Sequence, residues 1–320
     1  MRINDKGVLI GYHDDPTVTR LVIPERVKRI AADAFYGAEY LEEIVIPEGV
    51  REISTGAFRG CHVLRSVSMP DSVTRLGRTA FGECRSLREV RLSAGLTDIP
   101  ARAFNGCQSL ESVYIPDGVK SIGQYAFNSC IALTSVRLPD TLSFMDTGAF
   151  METFSLKSIS IPDGVDSIES YTFFRSGLEQ VSYRGMELFF DRDGDIFNTF
   201  ELCFTEELSD WLEKGGSGSE CLPRELRMPF LLAYFVKTRS PAAGEFVRKN
   251  FPKLLARSIR LGDIGAVTAF IEEGFLSTRN ITRYINMAAE QNRHEIYLML
   301  MTHKEKLGGF GAKGSARFKL

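Results

Sequence analysis

Phenylalanine stands at Phe35, Phe58, Phe81, Phe104, Phe127, Phe150 and Phe173, with a step of 23 residues each time. Alanine precedes it at Ala34, Ala57, Ala80, Ala103, Ala126 and Ala149, and Thr172 takes that place last. Proline keeps the same step at Pro24, Pro47, Pro70, Pro116, Pro139 and Pro162, with Ser93 as the one lapse. Leucine follows it from Leu41 through Leu156, and cysteine does so at Cys61, Cys84, Cys107 and Cys130. Residue types locked to one period describe repeated coils, each resting on the last. The expected fold is a solenoid.

The chemistry of one unit supports this. In Leu110–Pro116, Val113 and Ile115 alternate with Ser112 and Tyr114, which predicts a strand with one buried face. Pro116 ends it, because proline has no N–H for a ladder neighbour. Val119 and Ile122 then face inward from a second short extended segment, and after a tight turn Ala126-Phe127 plug the far side of the coil. A single coil cannot cover its own apolar residues; stacked coils make one continuous core. At ~4.8 Å between strands, seven coils give a parallel sheet roughly 30 Å long.

The cysteine column would place side chains ~5 Å apart, within reach of a disulfide by Cα distance. Parallel in-register coils point their Cβ atoms the same way, however, which opposes the S–S dihedral. No histidine accompanies the column, and zinc sites favour tighter spacings. The column is therefore expected to be core, as free cysteine packs like a small hydrophobe. Six cysteines without an export signal also suit a reducing compartment.

The recurring string, Leu64, Val67, Met69-Pro70, Val73, Leu76, Ala80-Phe81, Cys84, Leu87 in one copy, resembles the BspA-type leucine-rich repeat over roughly residues 21–183. Lys6–Tyr12 is similar to the cap strands that precede such arrays, so residues 1–20 are expected to form an N-terminal cap. Departures gather at the ends: Ala38 and Thr153 replace the cysteine, and the last copy is one residue short before Leu178. The resemblance implies a parallel-β leucine-rich repeat solenoid of about seven rungs that binds protein, and the best-known relatives are bacterial surface adhesins.

After Tyr183 the period stops. Met186–Phe190 and Ile196-Phe197 flank Asp191–Asp195, which predicts a capping hairpin over 184–200 with an Asp/Gly turn. Those alternating carboxylates resemble the opening of a calcium loop, but Ile196 and Leu202 stand where such a loop needs glycine and glutamate. A solvated turn is the better reading. From there the expectation is an all-α helical-hairpin domain over 201–306. It has a helix at Glu206–Lys214, a flexible joint at Gly215–Ser219, a helix opened by Ser240-Pro241, and ankyrin-like pairs at 253–274 and 283–303. The ending, 307–320, reads as a flexible basic tail that is solvated rather than bound to RNA or lipid.

Chemistry is scarce. His13, His62, His294 and His303 share no ligand spacing, and no GxSxG, Walker A or GxGxxG string occurs. The reading is of a non-enzyme with no cofactor and no metal. Residues 1–200 carry 21 basic and 27 acidic side chains, net −6, and residues 201–320 carry 18 and 14, net +4. The whole-chain charge of −2 leaves little field to draw in nucleic acid or an anionic membrane. Met1–Tyr12 holds no apolar leader and no membrane-length apolar run occurs, so a cytoplasmic protein without membrane insertion is expected. A leader upstream of Met1 would instead put it at the surface or outside the cell as an adhesin for host matrix proteins. The remaining candidate is the outward face of the long sheet. There Arg91, Tyr114 and Arg137 fall in one column at ~5 Å steps, an arginine on each side of a tyrosine. Both residue types are enriched at binding hot spots, and the expected role is an interaction scaffold whose partner is an acidic or aromatic protein segment.

Overall fold

In a computed structural model, the structure describes residues 1–169, 171–190, 202–203, 211–216 and 224–308. The chain divides into two compact units, Met1–Glu206 and Glu207–Leu320.

The first unit is the solenoid. Each coil sets down two strands. One series forms a front face: β3 (Arg20–Val22), β5 (Glu43–Val45), β7 (Ser66–Ser68), β9 (Glu89–Arg91), β11 (Ser112–Tyr114), β13 (Ser135–Arg137), β15 (Ser158–Ile161) and β17 (Gln180–Tyr183). The other forms a side face: β2 (Val8–Gly11), β4 (Arg29–Ile30), β6 (Glu52–Ile53), β8 (Arg75–Leu76), β10 (Asp98–Ile99), β12 (Ser121–Ile122), β14 (Phe144–Met145) and β16 (Ser167–Ile168). Paired strands are parallel and in repeat register, as in Ser112↔Ser135 and Ile30↔Ile53. The chain makes about eight turns rather than the seven counted from phenylalanine, because β17 begins 22 residues after β15 without a phenylalanine of its own.

The core is the repeat itself. The six consecutive ring pairs from Phe35 to Phe173 stack with centroids 4.8–5.9 Å apart and planes within 13°. Each ring rests offset on its copy, the geometry that the aromatic quadrupole favours. Tyr12 continues the stack beyond Phe35 at 5.1 Å. Open strand edges invite pairing with other chains, and antiparallel strands cover the side face at both ends and the front face at its C-terminal end, while the outer edge of β3 has no strand partner among the described residues. β1 (Arg2–Ile3) folds back on β2, β18 (Met186–Phe189) lies on β17, and β19 (Leu202–Cys203) lies on β16.

The ladder is interrupted in three places: once in the front face between β13 and β15, where proline is kept, and once in each face at the coil where proline lapses. No strand pairing joins β9 to β11 or β8 to β10. Here Ser93 is buried, donates from Oγ to the Val73 carbonyl at 2.6 Å and accepts from the Gly95 N–H at 3.0 Å. A hydroxyl that can turn the chain onto its own backbone replaces a rigid proline turn.

The hairpin after the repeats forms earlier than the sequence suggests. β17 and β18 are joined through Arg184-Gly185, both at positive φ. The turn expected at Asp191–Asp195 lies outside the described residues, as does the basic tail beyond Gly308.

The second unit is helical: α1 (Arg224–Thr238), α2 (Pro241–Leu261), α3 (Ile264–Glu272), α4 (Ile281–Glu290) and α5 (His294–Leu307). Ser240 caps α2, with Pro241 in its first turn. The helix boundary expected near residue 253 is absent, because α2 runs straight through Pro252. Val247, Phe251, Leu254 and Leu255 are all buried along α2, and their burial outweighs the ~3 kcal/mol that an interior proline costs. Gly215 and Gly216, read as part of a flexible joint, end the helical turn at Trp211–Glu213 through bonds to the Leu212 and Trp211 carbonyls. Residues 206–210 and 217–219 of that reading lie outside the described residues.

Candidate functional site

The front face carries side chains that point outward at every second position of each strand. Ser112, Ser135 and Ser158 form a low polar column, and the next column begins apolar with Val22 and Val45, exposed at 60% and 40%. Its centre holds the three candidate residues. Tyr114 and Arg137 are register partners on β11 and β13, and the Arg137 guanidinium lies 5.0 Å over the Tyr114 ring. Tyr114 is still 45% exposed, and Arg137 makes no ion pair among the described residues. This cation is held in place by an aromatic ring without being neutralised.

Arg91 stands apart. Its strand is not laddered to β11. Its guanidinium turns back to the preceding coil, donating to the Met69 carbonyl at 2.7 Å and to Asp71 at 2.9 Å. The structure therefore brings Tyr114 and Arg137 together and gives Arg91 a structural partner at a break in the ladder.

A second feature, on the turn edge of the coil, was invisible to the sequence reading. The residue two before each phenylalanine and the residue two after it adopt positive φ, from Asp33 and Gly37 through Tyr171 and Arg175. Glycine fills only some of these left-handed positions. The others throw a full side chain outward at a fixed angle, and the resulting groove of about 530 Å³ is lined by residues from Arg59 to Glu152. At its floor, Asn128 Nδ2 donates to Asn105 Oδ1 at 2.7 Å. The one available signal was that both asparagines directly follow the repeated phenylalanine.

The cysteine column is core. Cys61, Cys84, Cys107 and Cys130 are free and buried. Each thiol donates to the carbonyl of the phenylalanine one coil back, at 3.1–3.3 Å. Burial pushes the Cys84, Cys107 and Cys130 thiols up in pKa, so they stay protonated and unreactive. Among the described residues, no three His, Cys, Asp or Glu side chains gather to hold a metal ion, and no helix is long and apolar enough to cross a membrane.

The BspA type Leucine rich repeat region matches in six copies over residues 12–130 and 97–187. The chain belongs to the BspA-type leucine-rich repeat family. No curated protein matches it. A leucine-rich repeat protein from Eubacterium ventriosum is similar at 30% identity and TM-score 0.52, covering 54% of this chain and 47% of that one. One from Bacteroides ovatus shares 30% identity with TM-score 0.39, covering 46% of this chain and 44% of the other. A T. pallidum leucine-rich repeat protein shares 31% identity with TM-score 0.42, covering 55% of this chain and 83% of the other. The chain thus spans about half the length of the first two of these leucine-rich repeat neighbours.

Proposed function

We propose that this chain is a non-enzymatic scaffold that presents the front face of its solenoid to a protein partner. The carrying observation is the Tyr114–Arg137 pair, an exposed ring beneath a guanidinium that meets no carboxylate among the described residues. Desolvating such a pair against a partner is worthwhile only if the partner supplies negative charge, so an acidic segment is the fitting ligand. The serine column beside it leaves room for an extended chain. Four free, buried thiols are compatible with a reducing, cytoplasmic setting. The hairpins of the second unit, related by a 30-residue offset between the left-handed Gly262 and Asn292, provide an ankyrin-like second surface in this reading.

The test is quantitative. A partner captured from source-cell lysate is titrated against the native chain and against the Tyr114→Ala, Arg137→Glu double variant, with far-UV circular dichroism as the folding control. Affinity is expected to fall by roughly tenfold or more, the scale of a hot-spot loss. An unchanged dissociation constant removes the front face from the account.

A further inference from the structure

The turn-edge groove carries charges whose partners are unequally supplied. Its two carboxylates are already matched. Glu152 meets Arg175 at 3.0 Å and accepts from the Ser129 hydroxyl at 3.0 Å, and Glu83 meets Arg85 at 3.7 Å. Its two guanidiniums are not. Arg59 lies 5.9 Å over Tyr36 and Arg102 lies 5.4 Å over Tyr125, and neither makes an ion pair or a side-chain hydrogen bond among the described residues. Between them, Asn105 uses its oxygen for Asn128 and keeps both Nδ2 hydrogens unbonded. The uncommitted charges here are therefore all cationic, and the amides offer both hydrogen-bond roles, donors on Asn105 Nδ2 and a buried, unpartnered acceptor on Asn128 Oδ1.

We propose that this groove is a second binding site, for an extended acidic peptide segment. Arg59 and Arg102 stand two coils apart, and because Arg59 leans back over Tyr36 and Arg102 leans forward over Tyr125, their charges lie about three coil steps apart, roughly 15 Å, which an extended chain covers in about four to five residues. Two acidic side chains at that spacing would each meet one guanidinium, while the amide ladder bonds to the intervening peptide groups. An acidic glycan offers similar charge, but sugar recognition uses an open aromatic face, and Tyr125 has none. Its ring lies between the Arg102 guanidinium on one neighbouring coil and Gly148 on the other, where an added Cβ would sit 2.4 Å from Cε1. The tyrosine is a wall that holds Arg102 in position. This site is independent of the front face, since none of its residues lies on the Tyr114 or Arg137 strands.

Fluorescence anisotropy with N-terminally fluorescein-labelled, C-terminally amidated hexaglutamate at low salt tests it. Saturable binding is expected, weakened roughly tenfold by Arg59→Gln with Arg102→Gln and a few-fold by Asn105→Leu. All titrations are made in the Arg137→Glu background, so that the front face, itself proposed to take an acidic segment, does not contribute to the signal. Labelled hexagalacturonate, with equal charge and no peptide groups, is expected to bind more weakly. Absence of saturable binding overturns the site, as does full affinity in the folded double-glutamine variant. Galacturonate binding as tight as glutamate overturns the peptide assignment.

Discussion

In the solenoid each core residue meets its own copy; in the helical unit unlike residues converge on one another. Phe104 lies between Phe81 and Phe127 at 5.5 and 5.3 Å with planes within 6°. Phe251 meets Phe270, Phe275 and Tyr284 at 5.4, 5.3 and 5.9 Å and at angles of 67°, 34° and 67°. Translation makes every coil alike, so solenoid stability is close to a sum of nearest-neighbour contacts. The helical core gathers its rings around two linked hubs, Phe251 and Phe275, the second of which also meets Phe235 and Phe270. Repetition leaves its outer columns unconstrained and available for binding, whereas a hub commits its surroundings to packing.

The largest expected effect comes from emptying one ring position in each unit. Phe104→Ala is expected to cost ~3–5 kcal/mol, near the upper end because two flanking rings lose their partner in a fully buried site. Phe251→Ala should cost ~3 kcal/mol, since the hub ring lies at the edge of burial and its neighbours can close over part of the void. Guanidinium unfolding followed by circular dichroism measures both. A greater loss at Phe251 would reverse the contrast.

Alkaline pH separates the units further. The folded Cys84, Cys107 and Cys130 thiols have pKa values raised by burial, so folding favours their neutral form. Their stabilising effect is complete below the unfolded thiol's pKa of about 8.5 and is lost as pH rises from there toward the raised folded values. A loss of about 1 kcal/mol per thiol is expected across the first pH unit above 8.5. The triple Cys→Ala variant should lack that slope. Trp211, the single tryptophan, lies in the helical unit and reports on it alone. Its unfolding midpoint should therefore move less than that of the solenoid, and equal shifts would refute the assignment.

The repeat, its buried phenylalanines, the cysteine core and the α2 cap at Ser240-Pro241 were all legible in the sequence, because each is local chemistry repeated or punctuated in the chain. The fate of Arg91 was not. Its column position was plain, but its turn toward Met69 and Asp71 is set by groups of the preceding coil that the column pattern does not display. The turn-edge groove was hidden for a different reason. The residues after the repeated phenylalanines, from Tyr36 and Arg59 to Asn128 and Met151, share a place without sharing a type. Pro252 misled in the opposite sense, since a helix breaker was overruled by the burial of the residues around it.

The smallest contrast concerns how helices begin. Ser240, conspicuous in sequence, accepts from the Ala243 N–H only at 3.5 Å, whereas Asp263 accepts from the Ala266 N–H at 2.8 Å within the buried core. A charged acceptor on a free helix N–H also interacts favourably with the helix dipole. Asp263→Ala is expected to cost ~1–2 kcal/mol and Ser240→Ala ~0.5 kcal/mol, both read from tryptophan-detected unfolding. The order matters more than the values. The helical unit lacks the coil-to-coil register that would hold α3 in place without its cap, so the buried aspartate must fix where that helix starts. Equal costs would mean that packing around Ala266 and Phe270 already does so.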